Sequence, residues 1–327
     1  MLCALTALAL TSCAKVELLA PHQAPITQKT RMLLGKKRMT AKSPIFIRIF
    51  KAESELEIWK QREDGHFYHL KTYPICHWSG KLGPKYRQGD KQSPEGFYQV
   101  PRHQMNPNSK FHLSFNLGFP NAYDKAHGRT GDFLMVHGKC RSAGCYAMTD
   151  ALIEEIYALA REAFEGGQQA FHVHAFPFRM TKANLARFRG HKNMRFWRTL
   201  KQGYDYFEIT RQVPNVEICA RRYNVNVEWN GGPLNPHSAC PRFRRGPIVP
   251  FRSQQPAGTG SQHAHIPSSS IPAPRRVTTA PTTAQKTVAR TIQPPAPLPP
   301  PSSNQSSQPT AKPNRDPIGD LLKHPFD

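Results

Sequence analysis

Proline decides where this chain can fold. Most of its 31 prolines fall after residue 240, where Pro-Pro-Ala-Pro-Leu-Pro-Pro-Pro (294–301) sits among Ser, Thr and Gln. Proline lacks a backbone N–H and fixes φ, so such a run cannot sit inside a helix or a sheet. The segment also lacks the apolar periodicity needed to offset its ordering entropy, and 241–327 is expected to stay a disordered tail. It carries eleven Lys/Arg against three Asp. A basic arm of that kind suits an anionic polymer or a membrane surface, or serves only to solubilise.

The other end reads as an address. Leu2 to Leu10 is apolar, too short to span a bilayer, and ends in small residues, as an export-signal core does. Leu10-Thr11-Ser12-Cys13 matches a bacterial lipobox, so 1–12 is the expected signal peptide and Cys13 the expected lipidation site. Residues 13–43 then form a linker, and the protein is expected in the periplasm, attached to a membrane through a lipid on Cys13. An ordinary signal peptide with a chance cysteine is the other reading. No run approaches the ~20 apolar residues of a membrane-spanning helix.

Between these ends the pattern is strand-rich. Ile45, Ile47 and Ile49 alternate with Phe46, Arg48 and Phe50, a half-buried period of two. Asp64-Gly65 marks a hairpin turn between Leu56/Ile58 and Phe67–Tyr73. Further strands are expected at Phe97–Val100, Phe133–Val136 and Phe171–Phe176. One helix follows Thr149 or Asp150, with Leu152, Ile156, Leu159 and Ala163 as its apolar stripe and Gly166-Gly167 as its stop. Thr181 caps a second, basic helical region reaching about Leu200. The expected fold class is β-rich α+β, with a catalytic domain at 44–180 and a helical C-terminal extension at 181–240.

The net charge of +23 raises nucleic acid as a partner. No zinc-finger spacing, RNP motif or helix-turn-helix pattern accompanies it, and an exported chain would seldom meet nucleic acid, so that partner is set aside. Lipid headgroups and cell-wall polymer remain.

Chemistry concentrates in Val136-His137-Gly138-Lys139-Cys140-Arg141-Ser142-Ala143-Gly144-Cys145-Tyr146. Three readings are open. A zinc site would recruit His172 and His174, at a spacing that fits no common pattern. A Cys140–Cys145 disulfide would be purely structural. A Cys nucleophile with a His base suits a strand, a glycine-flanked turn and a helix, because the turn exposes the thiol and an imidazole in reach takes its proton. Backbone N–H groups near Gly144 and Cys145 would then hold an oxyanion. No cofactor and no metal are called for by that third reading.

These residues resemble the YkuD-type L,D-transpeptidase catalytic domain, and most closely its YafK branch. The likeness rests on His137-Gly-x-Cys-x-Ser-x-Gly-Cys-Tyr-Ala-Met-Thr149, on Gly83-Pro-Lys-x-Arg-Gln-Gly-Asp-x-x-Ser-Pro-Glu-Gly-Phe-Tyr98 and on Gly118-Phe-Pro-Asn-Ala-Tyr-Asp-x-Ala-His-Gly128. Pro177–Thr181 and Gly203–Glu208 extend it, so it covers roughly 44–211. It implies a β-sandwich-like fold and a periplasmic enzyme acting on peptidoglycan stem peptides. Carried over by motif, Cys145 is the nucleophile, His137 the proton donor and acceptor, the Gly138 carbonyl the group that orients His137, and the Gly144 N–H part of an oxyanion hole. Arg87, Tyr123, His127 and Ser142 are candidate substrate-binding residues, with Lys85 a further candidate for a diaminopimelate carboxylate. Ser142 also has the chemistry to hold its turn.

Ala143 stands where the wider family has a second histidine, and Ala147 where it has Arg or Asn. That departure turns the expectation away from 3→3 cross-linking, and the resemblance to the YafK branch implies instead hydrolysis of the bond between meso-diaminopimelate and a Braun-type lipoprotein. Transpeptidation is the alternative, and a non-catalytic wall-binding lipoprotein the alternative of another class. A catalytic thiol is expected to have a depressed pKa, an inert one not. With Cys145 free, Cys76, Cys140, Cys219 and Cys240 allow three pairings, among which Cys219–Cys240 would close the end of the globular part.

Overall fold

The computed structural model describes residues 19–252. The expected signal, Cys13 and the tail beyond residue 252 lie outside the described residues. The chain runs α1 (Gln28–Lys36), β1 (Ile45–Phe50), β2 (Glu55–Gln61), β3 (Phe67–Pro74), β4 (His77–Trp78), β5 (Gly96–Pro101), β6 (Met105–Asn106) and β7 (Ser114–Asn116). It continues through α2 (Ala122–Ala126), β8 (Met135–His137), β9 (Tyr146–Ala147), α3 (Asp150–Glu165), β10 (Ala170–Phe176), α4 (Lys182–Arg187) and α5 (Met194–Thr210). Four short strands follow: β11 (Val216–Cys219), β12 (Arg222–Val225), β13 (Val227–Glu228) and β14 (Arg244–Arg245). The class is α+β and sheet-rich, as the alternating pattern indicates.

Two five-stranded sheets carry the architecture, in the orders β3-β2-β1-β10-β5 and β4-β9-β8-β7-β6. Each holds one parallel pair, β1 with β10 and β8 with β9, in otherwise antiparallel surroundings. Helix α3 packs on β1 of the first sheet and on β7 and β8 of the second. Its buried side includes Ile153, Ile156, Leu159 and Ala163. Leu152 is only half-buried and Ile153 takes its place, a rotation of one residue in the expected stripe. The helix ends at Gly166, where a Cβ would lie 2.0 Å from the Lys42 carbonyl oxygen.

Strand β1 departs from its half-buried expectation, because all six of its residues are buried. Ile45, Ile47 and Ile49 face the main core, and Phe46 and Phe50 face α5, where Phe207, Trp197 and Leu200 cover them. Arg48 shares that covered face. It survives burial by pairing with Glu57 at 2.8 Å and with Glu208 of α5 at 2.7 Å, beneath the rings of Trp59 and Phe207. An alternating charged residue reads as solvent-facing only until another layer supplies its counter-ions.

Three segment boundaries are corrected. Within the expected linker, α1 is capped by Thr27, and Ile26, Leu34 and Met39 join the main core; a nine-residue basic helix is too short to announce itself by periodicity. The extension after residue 180 is not helical throughout: it breaks between α4 and α5, runs on to Thr210 and ends in a β11–β12 hairpin. Folded structure also passes residue 241. Strand β14 pairs with β13, and the Phe251 N–H donates to the Ile209 carbonyl at 2.7 Å. Backbone pairing of this kind leaves no mark in side-chain hydrophobicity. The Cys219–Cys240 disulfide forms as expected.

Candidate active site

The candidate site is built on the parallel pair β8–β9. Val136 lies opposite Tyr146 and His137 opposite Ala147, so Cys145, one residue before β9, comes level with Met135. Side chains alternate along a strand, which turns Val136 and Tyr146 into the core and leaves Cys145 and His137 diagonal neighbours on the other face. The short β8–β9 turn therefore converts an eight-residue sequence spacing into adjacency.

The turn is held firmly. Gly138 has no room for a side chain: a Cβ would lie 2.6 Å from Asp150 Oδ1 and 2.9 Å from the Phe111 carbonyl. Lys139 and Cys140 both adopt left-handed backbone, at φ 60° and 47°, a conformation costly outside glycine. Three restraints fix them. The Lys139 N–H donates to Asp150 Oδ1 at 2.7 Å, the Cys140 N–H donates to the Met148 carbonyl at 3.0 Å, and a disulfide joins Cys140 to Cys76. That disulfide removes the Cys140–Cys145 pairing and leaves Cys145 as the free cysteine among the described residues. It also removes Cys140 as a metal ligand. His172 and His174 lie on β10 of the other sheet, and no cluster of three metal-ligating side chains exists among the described residues, so the zinc reading fails.

His137 is buried, and its Nδ1 lies 2.7 Å from the Gly138 carbonyl oxygen. A carbonyl only accepts, so Nδ1 carries the hydrogen and Nε2 is left with its lone pair as the available base. Burial pushes the imidazole pKa down, and the Gly138 carbonyl pulls it partly back. Burial pushes the Cys145 thiol up, against the opposing pull of the Met135 N–H and the Lys85 charge. The expected depressed thiol is thus not found: desolvation outweighs both stabilising groups. Thiol and imidazole are each held neutral in the substrate-free site. Sγ accepts the Met135 N–H at 3.3 Å and lies 3.6 Å from the Phe133 carbonyl. Proton transfer requires the thiol to turn from Phe133 towards the imidazole.

Ser142 acts on the turn. Its Oγ accepts the Cys145 N–H at 2.7 Å and donates to the Cys145 carbonyl at 2.7 Å. The Cys145 N–H, expected as an oxyanion donor, is therefore engaged. Gly144 is a buried residue whose N–H makes no hydrogen bond among the described residues, at a φ of +123° that suits glycine. Ser93 Oγ adds a further bond to the Cys145 carbonyl at 2.8 Å, tying the site to the 79–93 loop.

The remaining candidates separate. Lys85 is buried and bound to Asp90, whose carboxylate also accepts the Tyr86, Arg87 and Gln92 N–H groups; it holds its loop rather than awaiting a ligand. Arg87 is exposed, with no side-chain partner among the described residues. Tyr123 and His127 line a different cavity, floored by the stack of Tyr123 on Tyr223 at 4.1 Å. Sequence reasoning missed two aromatics. Phe111 lies 4.8 Å from the His137 ring, and Phe133, left-handed at φ 50°, is 71% exposed beside the thiol. Nothing in strand periodicity marks either; Phe133 reads as the start of a buried strand and instead stands outside it.

A model of the L,D-transpeptidase catalytic domain, YkuD, matches residues 45–167. An Escherichia coli K12 protein named "Putative L,D-transpeptidase YafK" is 47% identical over 197 residues, which cover 60% of this chain and 80% of that protein. The chain belongs to the L,D-transpeptidase family. Family membership makes it a peptidoglycan-related enzyme. Two solved structures are similar over part of the chain. The helical cell shape determining protein Pgp2 of Campylobacter jejuni is 22% identical, over 45% of this chain and 54% of that one, at a TM-score of 0.32. Bd1075 of Bdellovibrio bacteriovorus is 20% identical, over 51% and 61%, at 0.30. In this L,D-transpeptidase-family chain, Ala143 is exposed and Ala147 fully buried, so neither position offers a polar group where the wider pattern has one.

Proposed function

We propose that the protein is an exported, membrane-anchored cysteine enzyme that hydrolyses the bond between meso-diaminopimelate and a Braun-type lipoprotein. The observation that carries the reading is the free Cys145 diagonal to a His137 whose Nδ1 is anchored by Gly138, beside an unpaired Gly144 N–H. In the first step Sγ attacks diaminopimelate's own carbonyl carbon, the one in amide linkage to the lipoprotein amine, while the thiol proton passes to His137 Nε2. The Gly144 N–H meets the charge developing on the carbonyl oxygen. Collapse to the thioester releases the amine, which takes the proton back from His137. Water, deprotonated by the same imidazole, then cleaves the thioester.

The preference for water over an amine acceptor rests on Ala143 and Ala147, which remove polar side chains that would help to hold a second peptide. The test is incubation of lipoprotein-bearing sacculi with the protein, followed by digestion and mass spectrometry. Release of lipoprotein, with tripeptide stems left intact and dependent on Cys145, is the expected result. A rise in 3→3 dimers with no lipoprotein released would establish transpeptidation instead.

A further inference from the structure

Away from Cys145, a cavity of about 840 Å³ opens between α2, the start of α5 and the β11–β12 turn. Its lining is cationic: Lys192 just before α5, Arg195 in its first turn, Arg221 in the β11–β12 turn, Arg222 at the start of β12, and Arg129 after α2. No carboxylate is among the lining residues. The first four of these cations are exposed and form no ion pair among the described residues. Arg129 differs, because it is buried at 7% exposure and pairs with Asp124 at 2.6 Å. Its Nε is nevertheless without a hydrogen-bond partner. A buried guanidinium with a donor left over costs free energy unless something accepts from it.

Two further features point the same way. Asn193, the residue before α5, does not cap the helix; its Oδ1 accepts from the Tyr86 hydroxyl at 2.9 Å instead. The Arg195 and Phe196 N–H groups consequently have no partner among the described residues, and the first turn of this 17-residue helix holds no acidic residue. On the opposite side, Ala220 and Arg221 are both left-handed, at φ 48° and 55°. They are pinned by N–H bonds to the Ser238 and Pro236 carbonyls and by the neighbouring Cys219–Cys240 disulfide. They are the two central residues of the β11–β12 hairpin, whose two-residue loop takes left-handed backbone at both positions, and the turn sets Arg221 and Arg222 in the cavity wall.

We propose that this cavity is a second, non-covalent binding site for an acidic peptide carrying at least two free carboxylates. Guanidinium forks grip carboxylates in bidentate fashion. The cations come from three separate chain segments rather than converging on one point, which suits several spaced carboxylates better than a single phosphate. A cavity of this size accommodates a short peptide. The site would let the protein hold an anionic chain independently of the acyl group at Cys145.

The experiment uses the residue 19–327 chain carrying Cys145→Ala, so that no turnover intervenes. Calorimetric titration with the tripeptide L-Ala-γ-D-Glu-diaminopimelate is compared with its fully amidated form and with inorganic phosphate, at low and high salt. Binding of the free-acid peptide is expected to weaken by roughly tenfold or more in Arg221→Ala/Arg222→Ala. Arg244→Ala, which removes a charge outside the cavity, should change nothing. Circular dichroism of the double variant checks that it is folded. Arg195→Ala offers a second disruption from the opposite wall. Equal binding of the amidated peptide, full competition by phosphate, or no effect of any cavity variant would each overturn the proposal. Because binding is read without catalysis, its failure leaves the hydrolytic reading untouched, and failure of lipoprotein release leaves this site untouched.

Discussion

At the scale of single residues, burial sets the chemistry as much as residue type does. Desolvation raises the Cys145 pKa and lowers that of His137, so both shifts favour neutral forms and widen the pH range over which the pair is uncharged. Two outcomes are expected. Alkylation of Cys145 by iodoacetamide is slow at neutral pH and climbs with a midpoint above that of a free thiol. The acidic limb of kcat/KM lies below pH 6.5, because the imidazole must be neutral to accept the proton. A labelling midpoint below neutrality would mean a preformed thiolate–imidazolium pair. His137→Gln keeps the fold and lowers turnover by roughly 10²–10⁴, whereas Cys145→Ala abolishes it. That Cys145 and His137 share one site was legible in a His-Gly…Ser-x-Gly-Cys spacing. Their protonation was not, since the groups that bury them, Phe111, Phe133 and the 79–93 loop, are distant in sequence or lack periodicity.

At the scale of elements, the site depends on a turn that does not favour its own conformation. Left-handed Lys139 and Cys140 are kept in place by Asp150 at the head of α3 and by the disulfide to Cys76, 64 residues away. Loop closure over that length contributes about 4 kcal/mol in the chain-entropy account. Cys140→Ser is therefore expected to lower stability by roughly 2–4 kcal/mol while Cys145 stays available, a shift that urea melts would measure. Unchanged melting would show that Asp150 alone fixes the turn. Elements with a strong period were readable: α3 from its stripe and glycine stop, β1 and β10 from β-branched and aromatic runs. The two-residue strands β4, β6 and β9 were not, because so short a segment carries no period and is defined by its neighbours' hydrogen bonds. The Cys76–Cys140 pairing stayed open for the same reason, as it depends on β4 lying beside β9.

At the scale of the whole molecule, the folding unit is larger than the segment that carries the chemistry. The family model covers 45–167, yet α5 lies beyond it and seals the outer face of the first sheet. That face holds Phe46, Phe50, Trp59 and Phe176, all buried, together with the Arg48–Glu57 pair. Exposing four aromatics at roughly 1.5–3 kcal/mol each removes stability comparable to the 5–15 kcal/mol that a domain has. Arg48 would also lose Glu208. A chain spanning 19–180 is thus expected to aggregate or to melt without cooperativity, while one spanning 19–252 melts in a single transition. Circular dichroism and gel filtration of the two chains decide between them. A monomeric, cooperatively melting 19–180 chain would mean that the sheet stands without α5 and that Arg48 finds sufficient compensation in Glu57 alone.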